Sequence, residues 1–259
     1  MHRFFLPPER CQDRKLVLQG AEAHHAARVL RLEAGDAAVV LDGAGKSYHC
    51  RVTTCTKSSV VLEIQSTLSQ PAPVGRICLI AAIPKGQLFD EIVEQATELG
   101  VSEIVPLIAE RGIVRLAGQE ALSKQEKWQT TAREAMKQSG NLWAPAIQVP
   151  ATFASILSQE LVPDLSLVGS LAAGADEVRG VLAKYQERSG VSPRSIQIWV
   201  GPEGDFTPDE LQKLAERGVC PITLGPWTLR CPTAVVSVVA ILAHELRCCA
   251  DPRFAPRQS

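Results

Sequence analysis

The sequence predicts an α/β protein, a mainly parallel sheet with alternating helices, preceded by a small β-rich unit of barrel type. Three observations carry this. From about residue 77 onward, short apolar runs alternate with helical stretches, the pattern of successive strand–helix units. Before residue 66 the apolar runs are short and parted by glycine turns, which suits a small barrel. Between the two, residues 66–75 (STLSQPAPVG) combine Ser, Pro and Gly without an apolar period and read as a linker. The expected division is therefore residues 1–70 and residues 71–259.

In the first unit, residues 16–18 form a short apolar strand. Residues 21–32 read as one helix, anchored by Val29, Leu30 and Leu32. Residues 37–41 read as a strand, ended by the turn signal Asp42-Gly43-Ala44-Gly45. Two further strands are expected over residues 47–54 and 59–64.

In the second unit, residues 77–83 read as a strand. Residues 87–99 follow as a helix with Ile92, Val93, Ala96 and Leu99 on one face, closed by Gly100. A strand over 103–108, a helix over 124–139, a strand over 165–169 and a helix over 176–187 continue the alternation. Residues 196–200 are apolar and run into Gly201-Pro202-Glu203-Gly204. Thr207 can cap the next helix, Pro208 suits its first position, and Glu210 completes a capping box. Residues 220–224 are a second apolar run, ended by Gly225-Pro226. Residues 234–246 form a nearly all-apolar helix, buried or at an interface. Two strand ends, each followed by a Gly-Pro turn, point to a backbone-built pocket at the carboxyl edge of a sheet.

Composition sets the class: 259 residues, 46% hydrophobic and 21% charged, suit a globular chain of one large or two small domains. A formal net charge of −1 excludes a global basic field, so a nucleic-acid partner requires local positive surface. The eight cysteines (Cys11, Cys50, Cys55, Cys78, Cys220, Cys231, Cys248 and Cys249) contain no CxxC and read as free thiols in a reducing compartment. No Cys/His cluster has ligand spacing, so no metal is expected. Phe4-Phe5-Leu6 is too short for a signal peptide, and residues 234–243 fall well short of the roughly 20 apolar residues that span a bilayer. A cytoplasmic location is the expectation.

Several residues could carry chemistry. His24, Arg28 and Arg31 stand at i, i+4 and i+7, one face of an α-helix, and read either as a phosphate-contacting patch or as a solvated face. Lys85, between Pro84 and Gly86 at a strand end, can reach a phosphate or a base, or sit in a surface turn. Arg111 follows another strand end, with Glu110 as a local partner. His244 reads as a core residue. The turn at 201–204 matches neither G-x-G-x-x-G nor a P-loop, so a neutral or zwitterionic nucleoside ligand fits better than a phosphate-rich one.

Five separated stretches point further: HHAARVLR (24–31), PKGQLFDEIVEQATELGV (84–101), EAMKQSG (134–140), GPEGDFTPDE (201–210) and LGPWTLRCPTA (224–234). With these, the chain resembles the RsmE family, small-subunit ribosomal RNA uridine N3-methyltransferases of the SPOUT superfamily. The resemblance runs in order over nearly the whole length. It implies a PUA-like RNA-binding β-barrel and a SPOUT methyltransferase domain with a deep trefoil knot, homodimeric through the knotted region. It implies S-adenosyl-L-methionine as cofactor, with contacts at Gly201, Pro202, Glu203, Gly204, Leu224, Gly225, Leu229, Arg230 and Thr233. The implied partner is 16S rRNA or the small ribosomal subunit, methylated at N3 of one uridine. His24, Arg28, Arg31, Lys85 and Trp227 are the residues expected on the RNA. Arg230 first, and Arg111 second, are expected to stabilise charge developing on the uracil. Glu203 is either the base for the N3 proton or a contact to the cofactor amine.

The departures from the family pattern cluster in the last motif. Trp227 stands in place of an Arg, Cys231 of a Thr and Pro232 of a Glu, while Asp205 takes the place of a second Gly. Gln95 and Asn141 replace basic residues. Pro232 removes a carboxylate and a backbone N–H donor. Trp227 either stacks on a base or packs. Besides an active methyltransferase, two readings stay open: a divergent dimer with weak activity, another RNA target or a binding role only, and an unrelated α/β nucleotide-binding enzyme.

Overall fold

A computed structural model describes residues 1–112, 114–159, 162–172 and 174–250, the last four as backbone only. The chain divides into two compact units. One is Met1–Ala72 with Arg133–Ala144; the other is Pro73–Ala132 with the chain from Pro145 onward.

The first unit contains β1 (His2–Phe5), β2 (Lys15–Gln19), α1 (Gly20–His24), β3 (Ala37–Leu41), β4 (Lys46–Cys55) and β5 (Ser59–Ser69). Its sheet has the order β1-β3-β4-β5-β2, with β1 parallel to β3 and the other pairs antiparallel. Strand alternation separates two cores. Ala38 and Val40 of β3 face a core with Phe4, Leu16, Leu18 and Leu62, while Val39 and Leu41 face Met136. Register shifts between β4 and β5, at His49/Cys50 and Val52/Thr54, bend the sheet into a half-barrel over the first core.

Two expectations in this unit are corrected. β5 runs on to Ser69, because Lys46–His49 offer partners for Ser66–Ser69; the expected linker loses its first four residues to the ladder. The helix expected over 21–32 ends at His24, and a π turn takes His25–Val29. Its signature is the Leu30 N–H donating to the His25 carbonyl at 2.9 Å. Val29, expected as an anchor, is 63% exposed.

The second unit holds β6 (Arg76–Ala82), α2 (Leu88–Glu98), β7 (Glu103–Ile108), α3 (Gly118–Ser139, its last turns counted with the first unit), β8 (Ala146–Ile147), β9 (Ala151–Thr152) and α4 (Phe153–Leu157). It continues with β10 (Leu165–Gly169), β11 (Asp176–Glu177), α5 (Val178–Ser189), β12 (Ser195–Val200), α6 (Pro208–Glu216), β13 (Cys220–Thr223) and α7 (Cys231–Ala250). Every described pairing in this sheet is parallel, in the order β11-β13-β10-β12-β6-β7-β8, with β9 also on β7.

Both faces of this sheet are covered. Ile77, Leu79 and Ala81 of β6 join Ile196 and Ile198 of β12 against Phe89 and Ile92 of α2 and Val235, Val239 and Leu242 of α7. On the other face Ile80, Ala82 and Trp199 meet Phe153 of α4, Leu214 of α6 and Phe206 of the loop before α6. Two-sided burial explains why these strands read as continuous apolar runs and not as alternating ones. Helix boundaries differ from expectation at three places. α3 begins at Gly118, α7 begins at Cys231, and Asp176–Glu177 pair with Ile222 and Thr223 before α5 starts. Among the described residues, no helix is long and apolar enough to cross a membrane.

Candidate active site

Three adjacent parallel strands, β13, β10 and β12, end side by side, and the loops leaving their carboxyl ends line one cleft, open to solvent. This is where an open α/β sheet offers a ligand site. The first turn of α7 closes one wall with Cys231 and Ala234, and Val238 lies one turn further on.

The loop after β12 is fixed by its own backbone. The Asp205 N–H donates to the Pro202 carbonyl at 2.9 Å, forming a turn. Asp205 sits at φ 59°, the left-handed region that Asp tolerates better than most residues. Its Oδ1 accepts the Phe206 N–H at 2.7 Å. Gly201 lies close against Phe206: a Cβ there would meet the buried ring at 3.1 Å, so the ring would have to shift. Phe206 in turn packs edge-on to Trp199, 6.4 Å between centroids. The expected capping box is present: Thr207 Oγ1 accepts the Glu210 N–H at 3.1 Å, and Glu210 Oε2 accepts the Thr207 N–H at 2.8 Å.

The loop after β13 is held by Thr223, whose Oγ1 accepts the Gly225 N–H at 3.2 Å. Gly225 adopts φ 117°, closed to L side chains, with open space where a Cβ would stand. The loop after β10 adds Gly169, Ser170 and Leu171, and the Ser170 N–H donates to the Ile222 carbonyl at 2.9 Å.

The structure brings Gly201, Pro202, Glu203, Leu224, Gly225 and Leu229 together in the cleft wall, and Trp227 joins them at 76% exposure. Arg230 and Thr233 are exposed and outside the lining residues. Gly204 is also outside; its carbonyl accepts from Arg111 Nη1 at 2.9 Å. Lys85 is exposed in the turn between β6 and α2. His24, Arg28 and Arg31 belong to the first unit and are all exposed. They do not share one α-helical face: α1 stops at His24, Arg28 is in the π turn, and Arg31 has φ 54°. Unforeseen from the sequence were Gly169, Ser170 and Leu171. Residues 165–169 were legible as a strand, but only its place between β12 and β13 brings its end to the cleft.

Cys231 is 3% exposed and donates from Sγ to the Ala82 carbonyl at 3.7 Å. Burial, with the Glu203 carboxylate adding to it, pushes this thiol up to about 12, so it is a neutral wall and no nucleophile. Cys11 and Cys50 are also buried free thiols; the side chains of Cys248 and Cys249 lie outside the described residues. The two formally charged side chains lining the cleft, Glu203 and Asp205, are both acidic. The rest of the wall is uncharged: glycine backbone, the hydroxyl side chains of Ser170 and Thr228, and mainly apolar side chains such as Val200, Leu224, Leu229, Ala234 and Val238. Two carboxylates without a lining cation among the described residues disfavour a phosphate-rich ligand.

A model described as an RNA methyltransferase domain matches residues 70–243, and one described as an RNA methyltransferase PUA domain matches residues 18–65. Fold, cleft and these matches define an RNA methyltransferase with an attached PUA domain. Ribosomal RNA small subunit methyltransferase E of Aquifex aeolicus is 35% identical, covering 94% of this chain and 100% of its own. Its namesake from Synechocystis is 31% identical over 92% of this chain and 76% of its own. The crystal structure of the Neisseria gonorrhoeae enzyme of that name, bound to S-adenosyl methionine, superposes with a TM-score of 0.81 at 27% identity, covering 95% of this chain and 98% of that one. The chain belongs to the ribosomal RNA small subunit methyltransferase E family.

Proposed function

We propose that this protein binds S-adenosyl-L-methionine in the cleft and methylates N3 of one uridine in 16S rRNA, in free RNA or in the small subunit, as a cytoplasmic homodimer with a knotted C-terminal region. The observation that carries the cofactor reading is the charge of the cleft, two carboxylates and no lining cation among the described residues. A ligand with a sulfonium and an ammonium gains from these groups, whereas a nucleotide polyphosphate loses. Gly201 and Gly225 let backbone approach the ligand, and Val200, Leu224, Leu229 and Val238 supply apolar contact for an adenine.

When bound, S-adenosyl-L-methionine supplies an electrophilic methyl group. The chain's residues must then orient the uracil and manage one proton. Glu203 presents an exposed carboxylate on the cleft wall that can take that proton or meet the cofactor ammonium, while Asp205 spends Oδ1 on the Phe206 amide. Arg230 lies at the start of α7, next to cleft residues Leu229 and Cys231, and is the cation for charge developing on a uracil oxygen. Lys85, His24, Arg28 and Arg31 contact phosphates, and Trp227 offers a face to a base.

Calorimetry with S-adenosylhomocysteine tests the cofactor, and mass mapping of 16S rRNA from cells with and without the protein tests the target. Binding together with a dependent N3-methyluridine is the expected result. Absence of binding would overturn the reading of the cleft as the cofactor site, and binding without the dependent mark would point to a divergent member. Arg230→Ala is expected to lower turnover by about 10²–10³ with the oligomeric state unchanged by light scattering; retained turnover removes Arg230 from the mechanism.

A further inference from the structure

Two hydrogen bonds join the loop after β7 to the loop and helix that follow β12, across roughly a hundred residues of chain. Arg111 Nη1 donates to the Gly204 carbonyl at 2.9 Å, and the Glu110 N–H donates to Glu210 Oε1 at 3.4 Å. Glu210 is 3% exposed, and its second oxygen, Oε2, accepts the Thr207 N–H at 2.8 Å. One buried carboxylate therefore closes the cap of α6 and also holds the backbone of the β7 loop. That loop is braced from within as well: Arg115 Nη1 donates to the Gly112 carbonyl at 2.7 Å, and Nη2 to the Glu110 carbonyl at 3.3 Å.

The segment from Gly201 to Thr207 is thus pinned at two points, at Gly204 by Arg111 and at Thr207 by Glu210. Glu203 is the residue immediately before the first pin. We propose that Arg111 and Glu210 are positioning residues: together they hold the turn so that the Glu203 carboxylate faces the cleft, and so set the affinity for the cationic cofactor. Arg111 then acts through the Gly204 peptide and does not itself touch the uracil. A guanidinium suits this task because it stays charged and makes a strong hydrogen bond to a carbonyl in partly wet surroundings. These roles presuppose that the cleft is the S-adenosyl-L-methionine site.

The test compares wild type, Arg111→Ala, Glu210→Gln and the double variant. Gln keeps the shape of Glu210 but offers one acceptor where two backbone N–H groups need one each. Arg111→Ala is expected to raise Kd for S-adenosylhomocysteine and KM for S-adenosyl-L-methionine about tenfold, the worth of one charge-assisted hydrogen bond, with KM for RNA unchanged. Glu210→Gln is expected to act in the same direction, and the double variant to fall short of the product of the two effects. A rise in KM for RNA alone would make Arg111 a substrate contact and overturn the proposal, as would an unchanged cofactor Kd. Amide hydrogen exchange over residues 201–207 of the ligand-free protein is independent of any ligand. It is expected to quicken in Arg111→Ala, even where Glu210→Gln fails to fold. Unaltered exchange sinks the pinning itself, whereas wild-type protein that binds no S-adenosylhomocysteine sinks only the functional reading.

Discussion

Trp227 stands at the mouth of the cleft with 76% of its surface exposed, while Trp128 and Trp199 are each 2% exposed. A large aromatic ring left in water beside a ligand site is placed to meet a flat partner. Stacking a base on it is worth about 1–3 kcal/mol. Trp227→Ala is therefore expected to weaken RNA binding about tenfold or more, and Trp227→Phe to retain most of it, by fluorescence anisotropy with a labelled rRNA fragment. An alanine variant that binds as tightly as wild type would show that the ring packs elsewhere. At the same scale the sequence marked Asp205 as an Asp in a glycine position, and the chain does adopt φ 59° there. Side-chain chemistry was enough for that expectation. Arg230 and Thr233 stand outside the cleft wall that their motif neighbours Leu229, Cys231 and Ala234 line.

At the scale of elements, the strongest local signals succeeded and the tertiary ones did not. Thr207-Pro208-Asp209-Glu210 specifies a helix start in four residues, and α6 starts at Pro208 with both capping bonds made. Thr207→Ala removes the acceptor for the Glu210 N–H and is expected to cost about 1 kcal/mol in chemical denaturation, with cofactor affinity falling if the turn shifts. A stability equal to wild type would mean that the reciprocal Glu210 bond alone suffices. The end of β5, Ser66–Ser69, carries polar residues with no strand signature, and only the ladder to Lys46–His49 makes it a strand. β8 and β9 have two residues each, too short to leave a period. The π turn after α1 was hidden for another reason, since HAARV has the composition of an ordinary helix.

At the scale of the molecule, buried thiols tie stability to pH. Burial pushes the Cys50 and Cys231 thiols from 9.0 up to about 12. In the unfolded chain these groups release protons from about pH 9, whereas the folded chain retains them. The sign follows: a raised folded value gives stability that is whole below pH 9 and declines as pH rises toward 12. Urea midpoints are expected to hold up to about pH 9 and fall beyond it, and a midpoint steady to pH 11 would contradict the buried thiols. Strand order was the part of the fold that the sequence concealed. Alternation of strands and helices was visible, but nothing local places β10 between β12 and β13.

That order has a consequence for biosynthesis. The cleft draws on Leu171, Gly201, Gly225 and Val238, so its parts leave the ribosome one after another over the last third of the chain. β10 and β12 can pair as soon as both are made, but β13 must still arrive on the outer side of β10 before the pocket has its second glycine loop. A nascent chain stopped just before Cys231 already holds the β-rich unit and the strands of the sheet, yet lacks the first turn of α7 that closes the wall. Cofactor capture is therefore a late event of synthesis, and it reports that the C-terminal segments have reached their places.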